Sequence, residues 1–119
     1  MKIQNIILGI LLYFIIEKFI PVDPVKVLPS LAKDKINNLK YHYVIDVRPA
    51  KHRNTGYHVY SMSIPLEEID NITKKIKNKN RKILVISNSI NMTKIAANKL
   101  SHLGYRNIEY LNSNWTSLI

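Results

Sequence analysis

The sequence predicts an α/β protein: a three-layer sandwich around a central, mostly parallel sheet, preceded by an apolar helix. Three observations carry that expectation. Residues 43–47 (YVIDV) and 82–86 (KILVI) are short, apolar, β-rich runs, as strands buried on both faces would be. Segments with helical spacing of apolar residues lie between and after them. The first 22 residues are a different material, apolar almost throughout.

Taken in order, residues 25–28 read as a short strand, and Pro29 and Ser30 offer a helix start continued over 31–38. Residues 43–47 form the stronger strand. The polar stretch 50–55 suits one helical turn before Gly56. Residues 61–64, followed by Pro65, suit a short strand end. Leu66, Ile69, Ile72 and Ile76 have helical spacing, so residues 66–76 are expected to form one helix. After the strand at 82–86, Ile95, Ala96, Leu100 and Leu103 share one face of a helix over 91–103, with Gly104 as its stop. Residues 108–111 make a last strand. In open parallel sheets, ligands bind beyond the carboxyl ends of the strands. That directs attention to Asp46 and to the segment after Ile86.

Composition narrows the chemistry. The chain has 119 residues, 18 Lys and Arg against 8 Asp and Glu, a formal charge of +10, and no Cys. The missing thiol excludes disulfides, thiolate metal sites and a cysteine nucleophile within this chain. Only three glycines argue against Gly-rich phosphate loops. His42, His52, His58 and His102 have no paired metal-ligand spacing, so neither metal nor cofactor is expected.

The apolar N-terminus runs without interruption over residues 6–16; extended to 3–22 it counts 20 residues, about 30 Å of helix. Glu17 and Lys18 would lie near one interface, and Pro21 and Pro24 would end the helix. No small-residue cleavage site follows Ile16, which favours a retained transmembrane anchor (residues 1–22) over a cleaved leader or a buried helix. Lysines cluster after the span, at Lys18, Lys26, Lys33, Lys35 and Lys40. The expectation is a single-pass protein whose C-terminal domain, residues 23–119, is cytoplasmic. That domain holds 16 basic and 7 acidic residues, net +9. Lys74, Lys75, Lys77, Lys79, Arg81 and Lys82 form its densest basic run, usually a solvated connection but also a candidate membrane-surface patch. No aromatic residue interleaves with it, so a nucleic-acid partner is not expected.

At this point the chain resembles the rhodanese-like family. Asp46-Val47-Arg48 is similar to that family's Asp-Val-Arg after the second strand. Residues 56–66 lie without a gap on its Gly-His-Ile-x-Gly-Ala-x-Asn-Ile-Pro-Leu, with Gly56, Ile64, Pro65 and Leu66 in agreement. Gly104-Tyr105-Arg106-Asn107-Ile108 is similar to its Leu-Gly-Tyr-x-Asn-Val ending. The resemblance implies a rhodanese-like domain over roughly residues 24–118. It also implies that Asp46 and Arg48 form an architectural ion pair and a hydrogen-bonding corner.

The pattern breaks at the chemistry. Against the family's Cys-Arg-x-Gly-x-Arg-Ser, the chain reads Ser87, Asn88, Ser89, Ile90, Asn91, Met92, Thr93. The sulfur-carrying position is Ser87, and both arginine positions are lost. Sulfur transfer needs a nucleophile that is anionic near neutral pH; a hydroxyl is not, unless a base activates it. His52, His58 or Asp46 would have to serve Ser87 in that role, and nothing in their spacing demands it. The bland reading of Ser87 is a small residue capping the loop. The expectation is therefore a catalytically inactive, membrane-anchored interaction or regulatory module with an unknown protein partner. Its face would be residues 87–93 and the neighbouring 57–60. The alternative is a sulfurtransferase or sulfur-carrier-related enzyme that uses a partner's thiol.

Overall fold

The computed structural model describes residues 2–55 and 60–119. An N-terminal helix, α1 (Ile3–Phe19), precedes strand β1 (Val25–Val27), helix α2 (Pro29–Asn37) and strand β2 (Tyr43–Asp46). A 3-10 segment (Ala50–Thr55) follows, then β3 (Ser61–Ser63), a second 3-10 segment (Leu66–Asn71) and the short α3 (Ile72–Lys75). The chain closes with β4 (Ile83–Ile86), α4 (Ile90–His102), β5 (Ile108–Leu111) and a 3-10 turn (Trp115–Leu118). The five strands form one sheet in the order β1-β5-β4-β2-β3, and every pair is parallel.

Alternation along the strands separates two cores. Ile45, Val47, Ile83, Val85 and Ile108 pack with Ala96, Ala97 and Leu100 of α4 and with Ile69, Ile72 and Ile76. Val44, Leu84, Ile86 and Leu111 point to the other face, against Ala32 and Ile36 of α2 and against Trp115 and Leu118. Strands covered on both faces cannot show a polar-apolar alternation, so β4 is apolar throughout and β2 is apolar up to Asp46 at its end. Each fully buried Leu or Ile contributes roughly 1.5–3 kcal/mol by removal from water. The two faces with their covering helices make the three layers.

The 66–76 segment departs from the single expected helix. Its first half is a 3-10 segment and only Ile72–Lys75 is α-helical. The spacing explains this. Ile69 and Ile72 are three apart, which aligns them on a 3-10 turn, while Ile72 and Ile76 are four apart, as α geometry requires. All three are buried.

The N-terminal helix corrects a larger expectation. Among the described residues, no helix is long and apolar enough to cross a membrane. The single-pass membrane placement with a cytoplasmic C-terminal domain is therefore overturned. α1 has 17 residues, about 26 Å at ~1.5 Å each, against roughly 30 Å of hydrocarbon. The prolines Pro21 and Pro24 deny it the residues that were counted toward a span, and Glu17 and Lys18 already occupy its last turn. Residues 3–13 are exposed.

A polar cluster ties α2 to the sheet. Glu109 sits on β5 with its side chain 6% exposed, yet it is charged and bridged. Lys35 of α2 donates to its Oε1 at 2.8 Å, and Lys82 stands 3.1 Å from its Oε2. The Tyr41 hydroxyl also donates to Oε1, at 3.4 Å. Burial pushes the carboxyl up, but the hydrogen bonds and charges of Lys35 and Lys82 outweigh it and hold Glu109 below its ordinary value. Burial, with the Glu109 charge, pushes the Tyr41 phenol well above its own. A depressed carboxylate stabilises the fold fully above its unfolded pKa of about 4.3 and loses that contribution as pH falls through the lower folded value. Glu109→Gln is expected to lower stability at neutral pH and to flatten the acid limb of stability against pH, measured by urea unfolding. An acid limb as steep as that of the unsubstituted protein would contradict this assignment.

Candidate functional site

The carboxyl ends of β2 and β4 lie side by side, with Asp46 paired to Ile86 in register. The two residues that follow these strands, Val47 and Ser87, therefore enter the same crevice. Val47 donates its backbone N–H to the Ile86 carbonyl at 3.0 Å. Ile64 donates to the Asp46 carbonyl at 3.0 Å and Leu66 to the Val47 carbonyl at 3.1 Å. Pro65, between those two donors, is buried where no N–H is required.

Asp46 and Arg48 form an ion pair with both side chains 1% exposed. Arg48 Nη2 lies 2.9 Å from Asp46 Oδ2, and its Nε donates to Oδ2 at 3.0 Å. The Arg48 backbone N–H donates to Oδ1 at 3.0 Å, and Nη1 reaches the His52 carbonyl at 3.4 Å. The Trp115 ring covers the guanidinium, 4.5 Å from its centroid. Here a buried cation is matched by a carboxylate, a carbonyl and an aromatic face. The charge of the pair is spent inside the protein.

The loop between β4 and α4 is only three residues long, because α4 begins at Ile90. Ser87 is fully buried. Its Oγ donates to the Ser89 carbonyl at 2.8 Å and accepts from the Ser89 N–H at 2.9 Å. The Thr93 hydroxyl lies 3.1 Å from Ser87 Oγ and 2.8 Å from the Ser89 carbonyl. Ser89 caps the helix, its Oγ accepting from the Met92 N–H at 3.4 Å. The Trp115 N–H donates to the Ser87 carbonyl at 2.8 Å. The Ser87 hydroxyl is thus engaged by its own loop and the first turn of α4. Asn88, Ile90 and Asn91 face outward, and Met92 is half-buried.

Among the described residues no general base stands behind Ser87; His58 lies outside them. His52 approaches the neighbouring Asn88 instead, 3.4 Å from its amide, and Asp46 is committed to Arg48. Gly56, with residues 57–59 of the expected binding face, lies outside the described residues. Tyr60 precedes β3, whose Ser61 pairs with Val44, so it enters the sheet from the strands' amino-terminal end, away from the loop.

The basic run is divided rather than gathered. Lys74, Lys75, Lys77 and Arg81 are exposed. Lys82 pairs with Glu109, and Lys79 donates to the Leu103 carbonyl at 2.7 Å, at the end of α4. Sequence reasoning missed Trp115, which joins the Ser87 carbonyl to the Arg48 guanidinium. A weak signal was available: Asn114 precedes Trp115 and caps its turn, Oδ1 accepting from the Thr116 N–H at 3.1 Å.

The comparisons decide the family. The Rhodanese-like domain family profile matches residues 28–118. The chain belongs to the rhodanese-like family. The Alr3790 protein from Anabaena sp. is similar in structure, with TM-score 0.69 and 21% identity over 77% of this chain and 83% of that one. A rhodanese-related protein from Thermoplasma volcanium matches with TM-score 0.65 and 26% identity over 79% and 89%. A thiosulfate sulfurtransferase from Pseudomonas aeruginosa matches with TM-score 0.66 and 16% identity, over 78% of this chain but 18% of that one. No curated protein sequence matches the chain. The matched stretch of this rhodanese-like domain includes the Asp46–Arg48 pair and the β4–α4 loop.

Removing one partner of the buried pair leaves an uncompensated charge. Asp46→Asn is expected to lower the unfolding free energy by about 3–5 kcal/mol. The joint change Asp46→Leu with Arg48→Met should recover part of that loss. Both are measurable by urea unfolding followed through Trp115 fluorescence; a near-neutral Asp46→Asn would contradict the architectural role.

Proposed function

We propose that this rhodanese-like domain transfers no sulfur and acts as a binding module, its partner a protein surface docking on the face of the β4–α4 loop. One observation carries the reading: the residue at the sulfur-carrying position is an alcohol whose oxygen is sealed inside its own loop. An anionic sulfur donor needs cationic partners, and residues 87–93 supply none. The Arg48 guanidinium is buried against Asp46 and Trp115. The outward face is uncharged, with Asn88 and Asn91 flanking Ile90, a large aliphatic side chain left 44% exposed. Such a face suits a neutral partner surface with an apolar anchor, not a small anion.

Full-length protein assayed with thiosulfate and cyanide is expected to show no turnover above a control without protein; clear turnover defeats the proposal. A second substitution separates the missing thiol from the missing cradle. Ser87→Cys places sulfur where the hydroxyl is buried and leaves the loop without cations. Its activity is expected to stay within about twofold of background, because a buried thiol without cationic neighbours is poorly ionised. Robust turnover by this single variant would mean that the loop still receives the donor.

A further inference from the structure

The amino-terminal end of the sheet lies opposite the β4–α4 loop, and beside it the fold holds one residue under strain. Helix α2 ends in a turn closed twice: the Leu39 N–H donates to the Ile36 carbonyl at 3.0 Å, and the Lys40 N–H donates to the Lys35 carbonyl at 2.8 Å. That closure needs a left-handed residue at position 39, and Leu39 has φ +55°. Glycine or asparagine is the usual occupant, because a branched side chain is strained there. Leu39 gains no burial in return. It is 84% exposed, the most exposed large apolar side chain among the described residues. A strained apolar side chain left in water has a physical reason to be there if a partner covers it.

The surroundings state that partner's chemistry. β2 and β4 are parallel neighbours, so the residues leading into them emerge side by side. His42 is joined to Lys82 twice: its backbone N–H donates to the Lys82 carbonyl at 2.8 Å, and its Nδ1 accepts from the Lys82 N–H at 3.0 Å. With Nδ1 as acceptor the hydrogen sits on Nε2, so the exposed His42 keeps a second, outward donor. Lys40 and Arg81 flank this junction in the chain. Both are exposed, and neither has an ion pair among the described residues. Residues 35–42 and 74–82 contain no Asp or Glu. Glu109 is already shared by Lys35 and Lys82.

We propose that this end of the sheet is a docking surface for an acidic segment of a protein partner, with an apolar residue set among its carboxylates. The apolar residue covers Leu39, and the carboxylates meet Lys40, Arg81 and the Nε2–H of His42. A helix end fixed by two hydrogen bonds presents Leu39 at a defined position, which suits a shaped protein surface better than a fluid lipid interface. A phosphate backbone would leave Leu39 uncovered. The surface shares no residue with the β4–α4 loop and is independent of what binds there.

The test is a titration of full-length, isotope-labelled protein with an acetylated, amidated heptapeptide, six glutamates around a central leucine, followed by backbone amide shifts. Saturable shifts clustered at residues 38–42 and 80–82 are expected, and they should weaken as salt rises. Serine in place of the peptide's leucine should weaken binding about threefold, and Lys40→Gln and Arg81→Gln should each do the same. Leu39→Gly separates docking from folding. It should raise the urea midpoint, because glycine relieves the turn, and yet weaken peptide binding about threefold. Absence of saturable shifts at these residues would overturn the proposal. So would equal binding of the leucine and serine peptides with unchanged affinity in Leu39→Gly, or a DNA oligonucleotide or anionic vesicles occupying the same amides more tightly than the peptide.

Discussion

The buried pairing of Asp46 with Arg48 is the constraint around which the crevice is organised. A guanidinium only 1% exposed demands partners on every side, and the fold supplies them from separate parts of the chain. Asp46 ends β2, His52 gives a carbonyl from the following 3-10 segment, and Trp115 arrives from the C-terminus to cover the cation. Because the Trp115 N–H also holds the Ser87 carbonyl, the same corner sets the height of the β4–α4 loop. The charge is consumed in holding three segments together.

Against that frame the loop has its own logic. A strand that turns into a helix within three residues leaves little backbone to arrange around a guest. Ser87, Ser89 and Thr93 satisfy one another and the first helical turn, an economical way of ending a buried strand. The loop is stabilised as a cap by these hydroxyls. The outer face is uncharged, with Asn88, Ile90 and Asn91 exposed.

Much of the fold was legible because its signals are local or periodic. Residues 43–47 and 82–86 announce themselves as strands by continuous apolar character, and the parallel sheet follows from the helices between them. The short loop at Ser87 was legible as the end of a buried strand, with Ser89 able to cap the next helix. Other features depend on distant partners and left no local trace. Glu109 reads as an ordinary polar residue in a short strand until Lys35, 74 positions away, closes over it. Trp115 reads as a terminal aromatic until the fold sets it on Arg48. The basic run misled in part, because Lys79 and Lys82 are spent on a helix end and on Glu109. At the N-terminus, hydropathy alone counted residues beyond Phe19 that Pro21 withholds from the helix.

The measurement closest to the central claim is anion binding at the loop itself. Thiosulfate titrated into isotope-labelled full-length protein, with the amides of residues 87–93 as reporters, is expected to leave those resonances in place up to concentrations well above those that saturate an anion site. Saturable shifts centred on Ser87, Ser89 and Thr93 would show that the loop opens to receive a donor, and would contradict a crevice closed by its own hydroxyls.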